Sequence, residues 1–534
     1  MSYYYPRAAI QLKILPEDYE VKSDPVTQQT FTVTIQPRDV TITRNDYRTA
    51  DTFTCEIDYK NFPFDPRTIR SAGISIYMED AGSLINKDGS LNEIRPGDPT
   101  AVDPTISNCV FIGFVDDDEI IFDDNGRKVT LSGRDCTSLL IDQKYYSGVG
   151  PKVVANVPGI SLPGEQSVAF ATVQSPFKAN LPLDKAIKRL LSHFPATAVI
   201  DVVGSPDQVY PIIASYDSGF GNKLGATMNT GGGKRESYWD IILDLADRAG
   251  LVCFMGIGRT KDGLAIPAIY LVTPRDNGLS IDPVTKKQST TTADDIKIIY
   301  GQNVKNLKFK RKLGRLKNFN IQVISRNGKK VIAAKIPEQA NADWCKKYGI
   351  SRNPVYIPTL MPNGAVDQTQ NRLAPYITFP YEKIQNHAAL VLIGQTAYEQ
   401  YSLQQLEGSF TTFEMLGRGL NMDVAAAASL LGVDPNKCSI IFDMTQIRKG
   451  QNLCIEIDPP DLDEISRFKD NNTRASYLME KGYSQDVAQL LAQTVGKMSP
   501  RFQIKSYTMK LNQDSGFQLD VNFYNLIDNT QRNL

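Results

Sequence analysis

The sequence predicts an α+β protein that is dominated by β-structure and divided into several domains. A chain of 534 residues is too long for one hydrophobic core, and about three or four domains are usual at this length. Segments in which apolar and polar residues alternate lie towards both ends, and stretches with helical spacing lie between them. We therefore expect a multidomain protein with two antiparallel β-barrels plus α+β and helical insertions.

Residues 1–145 are predicted to form an antiparallel sheet or barrel, the first of the two barrels expected. Apolar and polar residues alternate from Phe31 to Ile35 and again from Phe53 to Ile57. Two later runs flank an Asn-Gly pair at 125–126, which favours the tight turn of a hairpin. Asp135 follows the second run and is expected to cap a short helix that closes the domain near residue 145.

Residues 146–295 are predicted to form an α+β domain. Apolar residues recur at helical spacing from Leu183 to Phe194, which indicates an amphipathic helix. Ser237 and Asp240 form a capping box at the start of a second helix. Two strands are expected directly after it, at 251–255 and 266–272.

Residues 296–335 and 500–534 are predicted to form the two parts of a second barrel. Ile321–Ile324 has the composition of a strand, and the alternation is strict from Phe517 to Phe523. Residues 336–499 are then a helical or mixed insertion in this barrel. Helices are expected there at 388–406, 423–431 and 484–495.

Composition excludes several classes of protein. The chain has 59 basic and 59 acidic residues, so it lacks the net positive charge that holds nucleic acid. No run approaches the roughly 18 apolar residues of a spanning helix, and the first residues lack the apolar core of a signal peptide. We expect a soluble protein that is made in the cytoplasm.

Residue patterns typical of catalysis or metal binding are missing from the sequence. The seven cysteines are scattered, which favours buried, reduced thiols over a disulfide framework. The two histidines, His193 and His387, lie far from any spacing typical of zinc sites and are expected to be packing or surface residues. We therefore predict no enzyme, no cofactor and no metal.

Three segments have a composition that could suggest ligand binding. Gly231–Lys234 lacks the spacing of a phosphate loop and is interpreted as a flexible loop. The acidic segment Asp116–Asp124 could hold calcium, but a solvated hairpin is the favoured interpretation. The basic segment Lys305–Lys317 is interpreted as a solvated or partner-facing strand in preference to a nucleic-acid site.

Three stretches follow one another in an order that points to a known family. The first comprises Tyr47–Phe53, Ile57–Asp58 and Phe64–Arg67, the second comprises Gly113–Asp116 and Ser132–Asp135, and the third comprises Ser237–Asp240 and Tyr300–Val304. In this order they resemble the baseplate hub proteins of contractile, myovirus-type phage tails, the late control protein D or tail hub family.

This resemblance implies a non-enzymatic role in the virion. The hub family has two tube-like β-barrels per chain, so that a homotrimer presents six barrels to a six-fold tail tube and joins it to a three-fold spike. The implied partners are the tail tube protein, the spike protein, baseplate wedge proteins and the tape measure protein. DNA would pass through the channel without specific binding, and the tail baseplate would assemble in the host cytoplasm.

Within that framework Gly133, Arg134 and Asp135 are interpreted as a structural corner. Asp135 is expected to cap the following helix, and Arg134 is expected to bridge to a neighbouring domain.

Two alternative functions stay open. A tail-associated peptidoglycan hydrolase needs only two carboxylates, and residues 417–457 resemble a LysM module that would contact peptidoglycan. The other alternative is a distal tail adaptor of another injection machine.

Overall fold

The computed structural model describes part of the chain. The described residues are 6–16, 31–45, 47–62, 65–80, 109–123, 126–145, 150–152, 169–171, 183–192, 195–204, 236–248, 251–260, 264–272, 296–299, 304–311, 319–327, 330–348, 350–360, 363, 366–382, 387–403, 406–413, 416–419, 441–456, 470–494, 501–512 and 515–525.

Strands dominate the described residues. They are β1 Pro6–Pro16, β2 Phe31–Ile35, β3 Asp39–Arg44, β4 Thr52–Asp58, β5 Ile69–Asp80, β6 Cys109–Asp123, β7 Gly126–Asp135, β8 Lys144–Tyr145, β9 Gly150–Lys152, β10 Ala169–Ala171, β11 Asp201–Gly204, β12 Glu236–Ser237, β13 Val252–Arg259, β14 Ala265–Val272, β15 Ile296–Ile299, β16 Lys305–Arg311, β17 Asn320–Asn327, β18 Lys330–Ile336, β19 Tyr356–Leu360, β20 Val366–Leu373, β21 Tyr376–Glu382, β22 Leu406–Thr412, β23 Leu416–Gly419, β24 Ile441–Asp443, β25 Asn452–Glu456, β26 Arg501–Asn512 and β27 Gly516–Asn525.

Helices are fewer and mostly short. They are α1 Thr137–Asp142, α2 Leu183–Leu191, α3 Pro195–Ala198, α4 Tyr238–Arg248, α5 Ala342–Tyr348, α6 His387–Leu403, α7 Asn471–Glu480 and α8 Gln485–Thr494. Single 3-10 turns occur at Tyr59–Asn61, Pro66–Thr68 and Met444–Gln446. The predicted α+β, β-dominated class is therefore confirmed. In the described part of the chain, no helix is long and apolar enough to cross a membrane.

One sheet of 15 strands joins the two ends of the chain. Its order is β2-β1-β5-β6-β7-β4-β3-β26-β25-β15-β23-β24, and β27, β22 and β16 continue from the other edge of β26. Neighbouring strands are antiparallel except β15 and β25, which are parallel. The pairing found among the described residues leaves this sheet open. The described strands therefore do not form the two separate closed barrels that the sequence predicted. The reason is that β3 and β26 pair with each other and join the two halves into one sheet.

Strand β26 is where the two halves meet. Residues 507–512 of β26 pair with β3, residues 501–503 pair with β25, and the opposite edge pairs with β27. A register shift between Ile504 and Ser506 separates the two partners on the shared edge. Such an irregularity bends a strand, which allows one strand to serve two neighbours.

The core of this sheet is also shared between the two ends. It contains buried side chains from the first strands, such as Ile10 and Phe53, together with Phe502 and Phe523 from the last two. Since both ends contribute to the same core, we expect them to fold as one unit.

The predicted α+β region has a core of its own. Helices α2 and α4 pack with the three-stranded sheet β11-β14-β13, and Leu140 of α1 is buried in the same cluster. The capping box of α4 is present, because the Ser237 hydroxyl accepts from the Asp240 amide at 3.0 Å while the Asp240 carboxylate accepts from the Ser237 amide at 3.1 Å.

Residues 320–336 lie in a different sheet from the one predicted for them. Strand β17 pairs with β18 and, in parallel, with β21, so this segment does not pair with β26 or β27. Helices α5 and α6 cover this sheet. The main sheet instead recruits β22, β23, β24 and β25, which all lie within the predicted insertion 336–499. The helix predicted at 423–431 lies outside the described residues.

Candidate functional site

Four charged side chains are buried where the separate parts of the chain meet. We call them the charged junction: Arg44, Asp51, Asp135 and Lys449. Arg44 ends β3, Asp51 immediately precedes β4, and Asp135 ends β7. Lys449 comes from the segment between β24 and β25 and is 398 positions from Asp51 in the sequence. Charges of this kind are rarely buried unless they are paired.

Asp51 is the centre of the junction and is 0% exposed. Its Oδ2 atom accepts from the Arg44 guanidinium at 2.9 Å, and its Oδ1 atom accepts from the Lys449 ammonium, also at 2.9 Å. Oδ1 further accepts from the backbone amide of Asn45 at 2.7 Å. This carboxylate is therefore held by three donors, which is the arrangement that offsets the desolvation of a buried charge.

Arg44 stays charged in this environment. Burial is the largest single influence and lowers the pKa of Arg44, but the charge and hydrogen bond of Asp51, together with Tyr507 and Asp135, raise the pKa by more, so the net shift is upward. The guanidinium also donates to the backbone carbonyl of Val110, and it lies over the Phe111 ring with its Cζ atom 5.2 Å from the ring centroid. Arg44 thereby connects β3 to β6 as well as to Asp51.

Asp135 belongs to the same junction through its backbone and its charge. Its amide donates to the carbonyl of Asp51 at 2.9 Å, and its Oδ1 atom accepts from the amide of Thr137 at 3.0 Å, at the start of α1. Its Oδ2 atom is buried and accepts no hydrogen bond from the described residues. Burial, and then the charge of Asp51, raise the pKa of Asp135 to about 7.

Gly133 occupies a point of very close backbone approach. A Cβ atom at this position would lie 2.0 Å from the carbonyl oxygen of Phe114 and 2.9 Å from the Phe53 ring. The cause is the register shift in β6 between Val115 and Asp117, which pushes the backbone of β6 towards β7. Only glycine has room here.

Arg134 pairs with residues of its own region. Its guanidinium donates to both carboxylate oxygens of Asp116, at 2.6 and 3.1 Å, and lies 3.6 Å from the carboxylate of Asp142. Because both acids lie within residues 1–145, these contacts differ from the expected bridge to a neighbouring domain. They connect β6, β7 and the end of α1.

An aromatic wall faces the charged junction from the α+β region. Phe254 of β13 and Tyr270 of β14 stack with their centroids 5.4 Å apart. The Lys449 ammonium lies 5.9 Å from the Phe254 centroid, and the Arg448 guanidinium lies 5.9 Å from the Tyr270 centroid. Two consecutive cations thus hold the α+β sheet against the main sheet by cation–π contacts.

The segment around Lys449 is part of the main core. Ile447 and Leu453 are buried in that core, and the amide of Gly450 donates to the carbonyl of Ile504 at 2.8 Å. This is the segment for which the sequence indicated a LysM-like module. Its burial ties it to β26. Residues 420–440 of the same stretch lie outside the described residues.

The remaining sequence candidates are not brought into this junction. Asp116–Glu119 lie exposed along β6, and His387 is exposed at the start of α6. Lys305–Arg311 form β16, where Leu307 packs against the main core.

Burial raises the pKa values of Cys55, Cys109 and Cys136 to about 12, which disfavours the reactive thiolate. His193 and the glycine-rich segment 231–234 lie outside the described residues.

No described group of three or more His, Cys, Asp or Glu side chains is arranged to hold a metal ion.

The sequence indicated Asp135 as a residue of interest but not Arg44, Asp51 or Lys449. A lone Arg after a strand pattern, and an Asp before one, carry no signal of their own. Their distance from Lys449 along the chain hides the pairing.

Comparisons with known proteins identify similar folds. No family model matches the chain, and no curated protein matches it. Among solved structures it is similar to a tail protein from Neisseria meningitidis MC58, with 10% identity over 98% of this chain and 99% of that chain and a TM-score of 0.44. It is also similar to a 43 kDa prophage tail protein from Shewanella oneidensis, with 13% identity, 97% and 98% coverage and a TM-score of 0.42.

A third similar structure is an E. coli component of the type VI secretion system, with 6% identity, 97% and 77% coverage and a TM-score of 0.40. These proteins are tail or secretion components, the kind of protein that the sequence resemblance indicated.

Proposed function

We propose that the chain is a structural hub of a phage-type tail baseplate and that its charged junction has an architectural role. The observation that carries this proposal is the pairing of β3 with β26, which sets two halves of one sheet side by side in one chain. Three such chains in a ring present six halves. This count matches a six-fold tube on one side and a three-fold spike on the other.

The charged junction supports an architectural role over a catalytic one. Asp51 is fully buried, and its carboxylate accepts from Arg44, Lys449 and a backbone amide. A general acid or base has to reach a substrate, and a carboxylate in this setting does not. Its contacts instead connect the start of the chain to residue 449.

The ends of the main sheet offer surfaces for neighbouring subunits. Strand β2 pairs only with β1 among the described strands, and Phe31 on it is 47% exposed. Edge strands of this kind pair with or are covered by another chain in assemblies. On this proposal the partners are two further copies, the tail tube protein, the spike, wedge proteins and the tape measure protein, in a tail that assembles in the host cytoplasm. The equal numbers of acidic and basic residues suit a channel that passes DNA without binding it.

The test is the mass of the purified full-length chain by light scattering, followed by negative-stain averages of the same sample. We expect a species of three times 59.3 kDa and a three-fold ring with an open centre. A compact dimer, or a chain that stays monomeric when the tail tube and spike proteins are added, would contradict the hub. Clearing of a peptidoglycan suspension by the purified chain would favour the hydrolase alternative instead.

A further inference from the structure

A small cavity of about 100 Å³ lies between the charged junction and the aromatic wall. It is lined by three parts of the chain: the end of β3 with the start of β6, strands β13 and β14, and the segment that carries Arg448 and Lys449. Tyr507 of β26 also lines it. The proposed hub function does not account for this space.

The charge of its wall is strongly one-sided. Among the described residues that line the cavity, Arg44, Arg259, Arg448 and Lys449 are cationic, and none is acidic. Two carboxylates, Asp51 and Asp135, lie in the charged junction next to this wall. The four cations therefore outnumber the nearby acids whichever way Asp135 titrates. Several cations facing one partly enclosed space favour the entry of an anion.

The size of the cavity limits the class of anion. A volume of about 100 Å³ that is open to water-sized molecules has room for several of them. Binding sites for larger ligands such as nucleotides are typically about 300 Å³ or more. A single tetrahedral oxyanion fits.

The chemistry and position of the cations suit such an anion. Guanidinium groups bind phosphate oxygens through two parallel hydrogen bonds, and three of the four cations are arginines. Arg259 is exposed and Arg448 is half-buried, whereas Arg44 and Lys449 are buried at the back. The two more exposed arginines therefore lie at the entrance of the cavity, and the two buried cations lie at its inner end.

We propose that this cavity is a binding site for a small tetrahedral oxyanion of the phosphate class. The bound anion would link the α+β region to the main sheet, because its ligands come from β13 and from the segment after β24. This inference does not depend on the hub function.

The experiment is calorimetric titration of the full-length chain with sodium phosphate, against sodium chloride at equal ionic strength. We expect saturable binding and a melting temperature that rises with phosphate concentration, since a ligand of the folded state stabilises it. Arg448→Gln and Arg259→Gln should each weaken binding about tenfold, the effect of losing one charge-assisted contact. Arg127→Gln, at the start of β7 and outside the cavity lining, is the matched control and should bind as the unaltered chain does.

Melting curves without phosphate report whether each variant folds, and the exposed position of Arg259 makes it the safer variant. The absence of saturable heat in the unaltered chain would overturn the proposal. Equal phosphate affinity in Arg448→Gln, Arg259→Gln and Arg127→Gln would also overturn the proposal. Acetate that binds as tightly as phosphate would overturn the assignment to tetrahedral oxyanions.

Discussion

Asp135 is a buried acid placed beside a second buried acid. Burial and the charge of Asp51 raise its pKa from the ordinary value of 3.8 to about 7. The folded state therefore binds this proton more tightly than the unfolded chain does. The resulting contribution to the free energy of unfolding is complete below the ordinary pKa and is lost as the pH rises through 7.

Replacement of Asp135 by Asn should remove this pH dependence. The Asn side-chain oxygen still accepts from the amide of Thr137, but the residue stays neutral at every pH. We expect the melting temperature of the unaltered chain to fall between about pH 5 and about pH 8, and that of Asp135→Asn to fall less over the same range. Asp142→Asn, at an exposed acid at the end of the following helix α1, is the control and should behave like the unaltered chain. An equal fall in Asp135→Asn would show that another group titrates.

Gly133 provides a steric prediction at the same scale. Gly133→Ala places a Cβ atom 2.0 Å from the Phe114 carbonyl oxygen, so the irregular part of β6 has to move. We expect a loss of about 1–3 kcal/mol in the free energy of unfolding, measured by urea denaturation. Gly73→Ala is the matched control, because its Cβ atom would meet nothing closer than 3.9 Å in a regular strand. Similar midpoints for the two variants would contradict this explanation.

At the level of elements, the contact between β3 and β26 decides the architecture. Thr43 and Thr508 lie directly opposite each other, with their hydroxyl oxygens 3.4 Å apart although they are 465 positions apart in the sequence. Directly opposed positions in an antiparallel pair bring Cβ atoms to the separation that a disulfide needs.

The variant Thr43→Cys with Thr508→Cys should therefore form a cross-link under mild oxidation. The closed loop of more than four hundred residues should run faster than the linear chain on a non-reducing gel, and a reductant should reverse the shift. Thr41→Cys with Thr508→Cys is the control, because Thr41 lies opposite Lys510 and is offset along the same two strands. Equal cross-linking in both pairs would mean that β3 and β26 do not hold this register.

Strand β22 shows why some elements were not predicted. A helix was expected to run to Leu406, but α6 ends at Leu403 and β22 begins at Leu406. Gly408 and Ser409 have weak strand propensity, so the local sequence carries little signal. The strand forms because β16 and β27 pair with its two edges. Gly408 also lets the Phe523 ring approach closely, since a Cβ atom at this position would lie 2.3 Å from that ring.

For the whole molecule, Asp51 connects regions that are far apart in the chain. Asp51→Asn leaves Arg44 and Lys449 buried without their carboxylate, and Lys449 is 4% exposed. Breaking a buried ion pair in this way typically costs about 3–5 kcal/mol, and we expect a loss of that size in urea denaturation. Lys449→Met should lower the free energy of unfolding by less, because Asp51 retains its ion pair with Arg44.

The control for this prediction is Glu56→Gln. It removes a 2.9 Å pair with Lys128 that is partly open to solvent, and such pairs contribute about 0–1 kcal/mol. If Asp51→Asn costs no more than this control, the charged junction does not hold the parts of the molecule together.

The sequence alone determined the local features of this protein. Alternation from Phe53 to Ile57 and from Phe517 to Phe523 predicted strands that are present, and Ser237 with Asp240 predicted the start of α4 correctly. These features follow from neighbours within a few residues along the chain, where periodicity and capping act. The β-dominated class follows from the same signals.

Only the tertiary structure decided which strands are neighbours and which charges meet. The sequence has no local mark that pairs β3 with β26, places β17 beside β21, or brings Lys449 to Asp51. These choices depend on which register buries the most apolar surface and pairs every buried charge. That condition applies to the whole chain at once, and for this reason the charged junction and the oxyanion cavity beside it become visible only in the folded molecule.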